Sequence, residues 1–185
     1  MYEIELKAHI NNKKLVETKL KTFATYKFTT EKKDTYWVNQ QGNTLRLREE
    51  ENNVCCTFKN KKIVNDIEVN EEKEFFIQKN KENLEDFLKI CNFYPKYKKC
   101  KITQSYQYQD DYFGNITIEL SYIDLLGDFI EIEIISNQND KDYCEKAQEK
   151  LYQILKLCDI DKSNIETKYY NQMIQEKLSK KTEEK

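Results

Sequence analysis

The sequence predicts an α+β protein whose antiparallel sheet closes into a β-barrel with helices packed on the outside. Two observations predict it. Stretches far apart in the chain, MYEIELKAHI at the start, NTLRLREE from Asn43 and LLGDFIEIEII from Leu125, alternate charged and apolar residues with the period of a strand. Many short strands in series with tight turns imply an antiparallel meander. In the alternating stretches, Glu3, Glu5 and Lys7 oppose Ile4 and Leu6, Arg46 and Arg48 oppose Leu45 and Leu47, and Glu131 and Glu133 oppose Ile130, Ile132 and Ile134. Such faces can meet water, as one side of many antiparallel sheets does. Like charges at i, i+2 repel, however, and a face chosen for solubility mixes signs within each strand. Closure with the charged faces inward sets acidic strands against basic ones around a wet lumen. That lumen suits a divalent metal and a polyphosphate.

The elements follow in order. After the first strand, Leu15, Val16, Leu20 and Phe23 have helical spacing over Asn11 to Ala24, with Asn11 or Asn12 as N-cap. Strands are expected at Lys27 to Thr30, Lys33 to Asn39, Asn43 to Glu50, Val54 to Asn60 and Ile63 to Val69, with turns at Gln41-Gly42-Asn43 and Asn60-Lys61-Lys62. Leu84, Phe87, Leu88 and Cys91 make Asn83 to Cys91 a short amphipathic helix that Pro95 keeps from continuing. Strands at Tyr97 to Tyr108, Asn115 to Asp124 and Asp128 to Ser136 come next, the first two joined by a turn at Asp110 to Gly114. A long helix is expected over Lys141 to Cys158. A last one is expected from Ser163 to Leu178, opened by the capping-box pattern Ser163-x-x-Glu166.

Composition bounds the function. The 185 residues read as one domain over 1–178 with a charged tail at 179–185. A net charge of −2 gives no overall field for nucleic acid or an anionic membrane, so any polyanion must be bound by a local cluster. Six cysteines without a C-x-x-C pair, no apolar run long enough to span a bilayer and no signal-like N-terminus imply a soluble, reduced, cytoplasmic protein.

The same motifs resemble those of the CYTH superfamily, the triphosphate tunnel metalloenzymes. Glu3-x-Glu5-x-Lys7 is similar to the E-x-E-x-K signature, and Asp34-Thr35-Tyr36, Leu45-Arg46-Leu47-Arg48 and Thr57-Phe58-Lys59 to the strands that follow it. Leu126-Gly127-Asp128-Phe129-Ile130-Glu131-Ile132-Glu133 looks like the L-G-x-F-x-E-x-E signature of the class IV adenylyl cyclase branch. The resemblance implies an eight-stranded tunnel. Glu3, Glu5, Glu131 and Glu133 would be the metal-site acids for Mg²⁺ or Mn²⁺, hard ions that take oxygen ligands. Lys7, Arg46, Arg48 and Lys59 would clamp a triphosphate, the arginines by forked hydrogen bonds. Lys99 and Lys101 stand where the family has K-x-R, and Val64-x-Asp66-x-Glu68 where it has R-x-E-x-E. Ser121 stands where it has an aspartate, with Glu119 on the same strand face as a substitute in substrate binding.

The implied activity is conversion of ATP to cyclic AMP and pyrophosphate, with Glu3, Glu5, Lys7, Arg46, Arg48 and Glu131 carrying the catalysis. A hydrolase of thiamine triphosphate or inorganic triphosphate is the alternative, and a non-catalytic nucleotide- or polyphosphate-binding module a third reading. The family's frequent dimers leave a homodimer open. His9 reads as a rim residue, Asp34 and Tyr36 as strand braces, and Tyr169-Tyr170 either as a lid over a base or ribose or as core packing.

Overall fold

Strand β1 (Tyr2–His9) opens a chain that the computed structural model describes at residues 2–50, 53–77 and 81–183. Asn12 accepts the Leu15 N–H at 3.1 Å and so caps helix α1 (Lys13–Leu20). A meander of β2 (Thr25–Val38), β3 (Thr44–Glu50), β4 (Asn53–Val64) and β5 (Ile67–Ile77) follows. Helix α2 (Lys81–Ile90) separates it from a second meander, β6 (Tyr94–Asp110), β7 (Gly114–Ile123) and β8 (Gly127–Ser136). Helix α3 (Lys141–Leu157), capped by Asp140, a 3₁₀ turn at Lys162–Asn164 and helix α4 (Tyr170–Glu183) complete it. The strands form a closed antiparallel barrel in the order β1-β5-β4-β3-β2-β6-β7-β8. Closure depends on β1, which lies between β5 and β8 with Glu5 opposite both Glu68 and Glu133.

Alternation divides the work between the two faces of the wall. Ile4, Leu6 and Ala8 of β1, Ile116, Ile118 and Leu120 of β7 and Ile130, Ile132 and Ile134 of β8 point outward, where Ala147, Leu151, Ile154 and Leu155 of α3 and Val16 and Leu20 of α1 cover them. Apolar area removed from water there is the main stabilising term. A smaller cluster sets Leu88 of α2 against Trp37, Leu47 and Cys56. In the first turn of α4, Tyr170 and Met173 pack on Phe129 and Ile123.

The structure departs from the expected elements where backbone demands outweigh pattern. The two segments expected on either side of Glu31 are the single strand β2, irregular only between Tyr26 and Phe28 and between Tyr36 and Trp37. The β4–β5 turn is at Asn65 and Asp66, not at Asn60 to Lys62. Both residues have positive φ, 50° and 64°, as a two-residue turn that follows the strand twist requires, and Asn and Asp tolerate that region best among non-glycine residues. Asp66 is therefore a turn residue and not a lumen acid. The last helix begins at Tyr170 rather than Ser163, because the backbone before it is committed to β1: Glu166 N–H donates to the Lys7 carbonyl at 2.8 Å and Ile165 bridges Ala8. The expected tail is helical as far as Glu183, and 184–185 lie outside the described residues.

Leu151, fully buried on the inner face of α3 against the barrel, and Leu15, 45 % exposed on α1 despite its place in the apolar pattern, make a paired test. Leu151→Ala is expected to lower unfolding free energy by about 2–5 kcal/mol. Leu15→Ala is expected to change it by no more than about 0.5 kcal/mol. Urea midpoints with unchanged m-values check both.

Candidate active site

The charged alternate residues all turn inward. Glu3, Glu5 and Lys7 of β1, Arg46 and Arg48 of β3, Lys59 of β4, Lys99 and Lys101 of β6, Glu119 of β7 and Glu131 and Glu133 of β8 line one cavity of about 320 Å³. Every residue marked in the sequence for metal or triphosphate is therefore brought together. Register sets their order. Glu68, Glu5 and Glu133 are direct neighbours across β5, β1 and β8, and Lys7, Glu131 and Glu119 across β1, β8 and β7.

One group of carboxylates is fully compensated. Lys101 Nζ donates to Glu119 at 2.9 Å and to Glu131 at 2.7 Å, and Lys32 pairs with the other oxygen of Glu119. Burial alone would raise Glu131, but Lys101, with Lys99 and Lys7 behind it, holds its carboxyl well below the usual range. Arg48 forks onto Asp34 at 2.8 and 3.0 Å, and Lys99 Nζ sits 3.0 Å from the same carboxylate. Asp34 is only 1 % exposed, and against that burial Lys99 and Arg48 hold its carboxyl far below normal. It braces two basic residues, as a strand-bracing residue should.

A second group has too little cation. Burial, more than any neighbour, pushes the Glu5 carboxyl up to about 8, against the pull of Lys59 and with Glu3, Glu68 and Glu131 adding to the rise. Glu133 is raised well above the normal range by burial and then by Glu3 and Glu5. Lys59 serves Glu3, Glu72 at 2.7 Å and Glu5 at 3.6 Å at once. This crowded all-oxygen set fits a hard divalent ion in its donor chemistry. Its arrangement is one of lysine pairs, and among the described residues no three acidic, cysteine or histidine side chains are gathered as a ready-made metal centre. On the basic side, Arg46 Nη2 donates to Thr57 at 3.0 Å and Glu74 at 3.3 Å, while its buried Nε has no hydrogen-bond partner among the described residues.

Other residues complete the chamber. Lys32, Thr57 and Asn70 also face inward, as do Glu72 and Glu74, with signals available in the alternations Lys32-x-Asp34-x-Tyr36 and Glu68-x-Asn70-x-Glu72-x-Glu74. Ser121 and Thr103, both fully buried, share a hydrogen bond of 3.0 Å, and Ser121 donates to Glu131 at 3.3 Å. Tyr170 lies between Lys7 and Lys99, whose ammonium groups sit 4.7 and 4.8 Å from its ring centroid. Its ring is thus both core packing and lumen wall. Tyr36, Tyr97, Tyr169 and Asn171 line the mouth beside α4, and nothing in the helical spacing marks Asn171. His9 stays outside the cavity lining, 3.3 Å from Glu166, with its ring 4.4 Å from that of Phe129.

Comparison with known proteins places this geometry. The CYTH domain model matches residues 1–170. The chain is 32 % identical over 179 residues to the putative adenylate cyclase MJ0240 of Methanocaldococcus jannaschii, covering 92 % of this chain and 97 % of that one. The structure of PH1819 from Pyrococcus horikoshii superposes with a TM-score of 0.80 at 25 % identity, covering 95 % of this chain and 99 % of the other. A Hippeastrum protein, HpAC1, described as a putative adenylyl cyclase with a dominant triphosphatase activity, shares the fold with a TM-score of 0.62 at 16 % identity, over 90 % of each chain.

The Asp34 brace yields a pH signature. Because its carboxyl titrates below the unfolded value near 4, its contribution is complete above about pH 4 and is lost as the pH falls below that value. Asp34→Ala leaves Arg48 and Lys99 facing each other across a buried gap and is expected to cost about 3–5 kcal/mol at pH 7. The difference between native and variant should shrink on going from pH 7 to pH 3, measured by urea unfolding at each pH.

Proposed function

The chain belongs to the CYTH family, and from that premise we propose that it is a metal-dependent adenylyl cyclase of the class IV type, converting ATP to cyclic AMP and pyrophosphate inside the charged tunnel. The observation that carries this reading is the juxtaposition, in one cavity, of a basic clamp long enough for several phosphates, an acid cluster short of cations and an aromatic mouth. A pure anion binder gains nothing from the under-compensated Glu5 and Glu133 unless a cation is also bound. The relative from Methanocaldococcus jannaschii, by its name, agrees with a cyclase.

The residues divide the task. Arg46, whose Nε has no partner among the described residues, and Arg48, held rigid by Asp34, grip phosphate oxygens, while Lys7, Lys59, Lys99 and Lys101 neutralise the remaining charge. Glu3, Glu5, Glu131 and Glu133 are the side chains to hold Mg²⁺ or Mn²⁺, and Glu119 keeps Lys101 and Lys32 in place. When bound, such an ion supplies Lewis-acid polarisation at the phosphate oxygens. Held in this way, ATP can present its α-phosphorus to its own ribose 3′-oxygen. The 3′-hydroxyl gives up its proton to solvent water as the new P–O bond forms in line, the bond to the β-phosphate oxygen breaks, and pyrophosphate departs with that electron pair. Catalysis is then mainly positioning and charge neutralisation.

Incubating the pure protein with Mg²⁺ or Mn²⁺ and, in parallel, ATP, tripolyphosphate or thiamine triphosphate tests the proposal by product identification. Cyclic AMP with pyrophosphate is expected. Orthophosphate from tripolyphosphate or thiamine triphosphate without cyclic AMP would make the chain a triphosphatase, and binding without turnover a non-catalytic module. Arg46→Ala is expected to lower turnover about 10²–10³-fold. Far-UV circular dichroism should stay native, because Thr57 and Glu74 keep their own 2.8 Å hydrogen bond.

A further inference from the structure

We propose that the tunnel mouth beside α4 reads an adenine base, with the Tyr36–Tyr97 pair as its stacking wall and the Asn171 side-chain carbonyl as acceptor for the exocyclic amine. This assignment rests on the reading of the lumen as a triphosphate site and adds the residues that choose the base. Tyr36 and Tyr97 are direct partners across β2 and β6, and their rings stack with centroids 4.6 Å apart at 30°. Both are half-buried and line the cavity, as does Asn171 in the first turn of α4. Asn171 Nδ2 donates to Tyr97 Oη. That bond fixes the amide beside the ring and uses one of its two donor hydrogens, while Oδ1 has no hydrogen-bond donor of its own among the described residues.

The position relative to the charges fits a nucleotide. Lys99 Nζ is 3.4 Å from Tyr36 Oη, and Arg46 is the residue opposite Tyr36 on β3. A base lying against the tyrosine wall is thus one sugar away from phosphates that Lys99 and Arg46 hold. Stacking accepts any base, because every base has a π-face. The amide carbonyl does not, because it can only accept. Adenine offers it the N6 amine, whereas hypoxanthine, with an oxygen at the same carbon, sets acceptor against acceptor and leaves both unpaired.

Calorimetric titration with the α,β-methylene analogues of ATP and ITP, and with tripolyphosphate as a reference lacking any base, tests the assignment in Mg²⁺ buffer. The native protein is expected to hold the ATP analogue about tenfold or more tighter than the ITP analogue. In Asn171→Ala the two should come within about twofold of each other, by loss of ATP affinity. Tyr97→Leu should weaken both analogues together by about tenfold, as loss of stacking does. Tyr97→Phe, which keeps the ring and frees the amide, should lower the ATP-to-ITP ratio with little loss for the ITP analogue. A native protein that binds tripolyphosphate but holds the two analogues equally, or an Asn171→Ala ratio equal to the native one, overturns the assignment. Failure of the native protein to bind tripolyphosphate would overturn the triphosphate reading itself, and the base assignment with it.

Discussion

A lysine ammonium enclosed between two carboxylates, Lys101 between Glu119 and Glu131, is the interaction on which the interior depends. A closed barrel has no outside for its inward residues, so each charge placed there must find its opposite within reach of its own strand or the next. Buried ion pairs contribute little to net stability, yet breaking one by removing a partner is expensive. The wall's outer face carries the stability instead, through the aliphatic rows that α1 and α3 cover. This division lets the inner face be chosen for chemistry.

Compensation inside is deliberately uneven. Asp34, Glu119 and Glu131 have cations in direct contact and keep their protons off far below neutral pH. Glu5 and Glu133 share Lys59 and one another's repulsion, and burial drives them the other way. Carboxylates identical in sequence context, Glu131 and Glu133 on one strand, thus differ in character because of what the neighbouring strands set beside them. Separation of this kind is how one fold assigns different tasks to the same residue type.

Much of this was legible in the sequence because strand parity is rigid. Glu3, Glu5, Arg46, Arg48, Glu131 and Glu133 had to share faces with their own strand neighbours, and repeated like charge indicated that those faces turn inward. Alternation also reached Lys32, which fell in the gap left between the two strands expected around Glu31, and Glu72 and Glu74, which the expected turn at Asn60 to Lys62 obscured by placing the next strand at Ile63 to Val69. That error came from treating polar residues as a turn, whereas the positive φ at Asn65 and Asp66 was the actual requirement. The capping-box pattern at Ser163 misled for a different reason. Local preference there yields to backbone bonds with β1, more than a hundred and fifty residues earlier, and no local pattern reports such a partner. Asn171 was hidden for the same cause, since its role depends on Tyr97 of a distant strand.

The place of β1 has an implication for how the protein is made. Its residues are made long before those of β8 but pair with them, Tyr2 with Ser136 and His9 with Phe129, and are clasped on the Lys7 carbonyl by Glu166. That edge of β1 therefore waits unsatisfied until the chain through β8 has been made. Loop-closure entropy over so long a span slows such pairings. The ring seals late, and until it does the acidic residues of β1 face water, where their charge keeps an unpaired edge soluble.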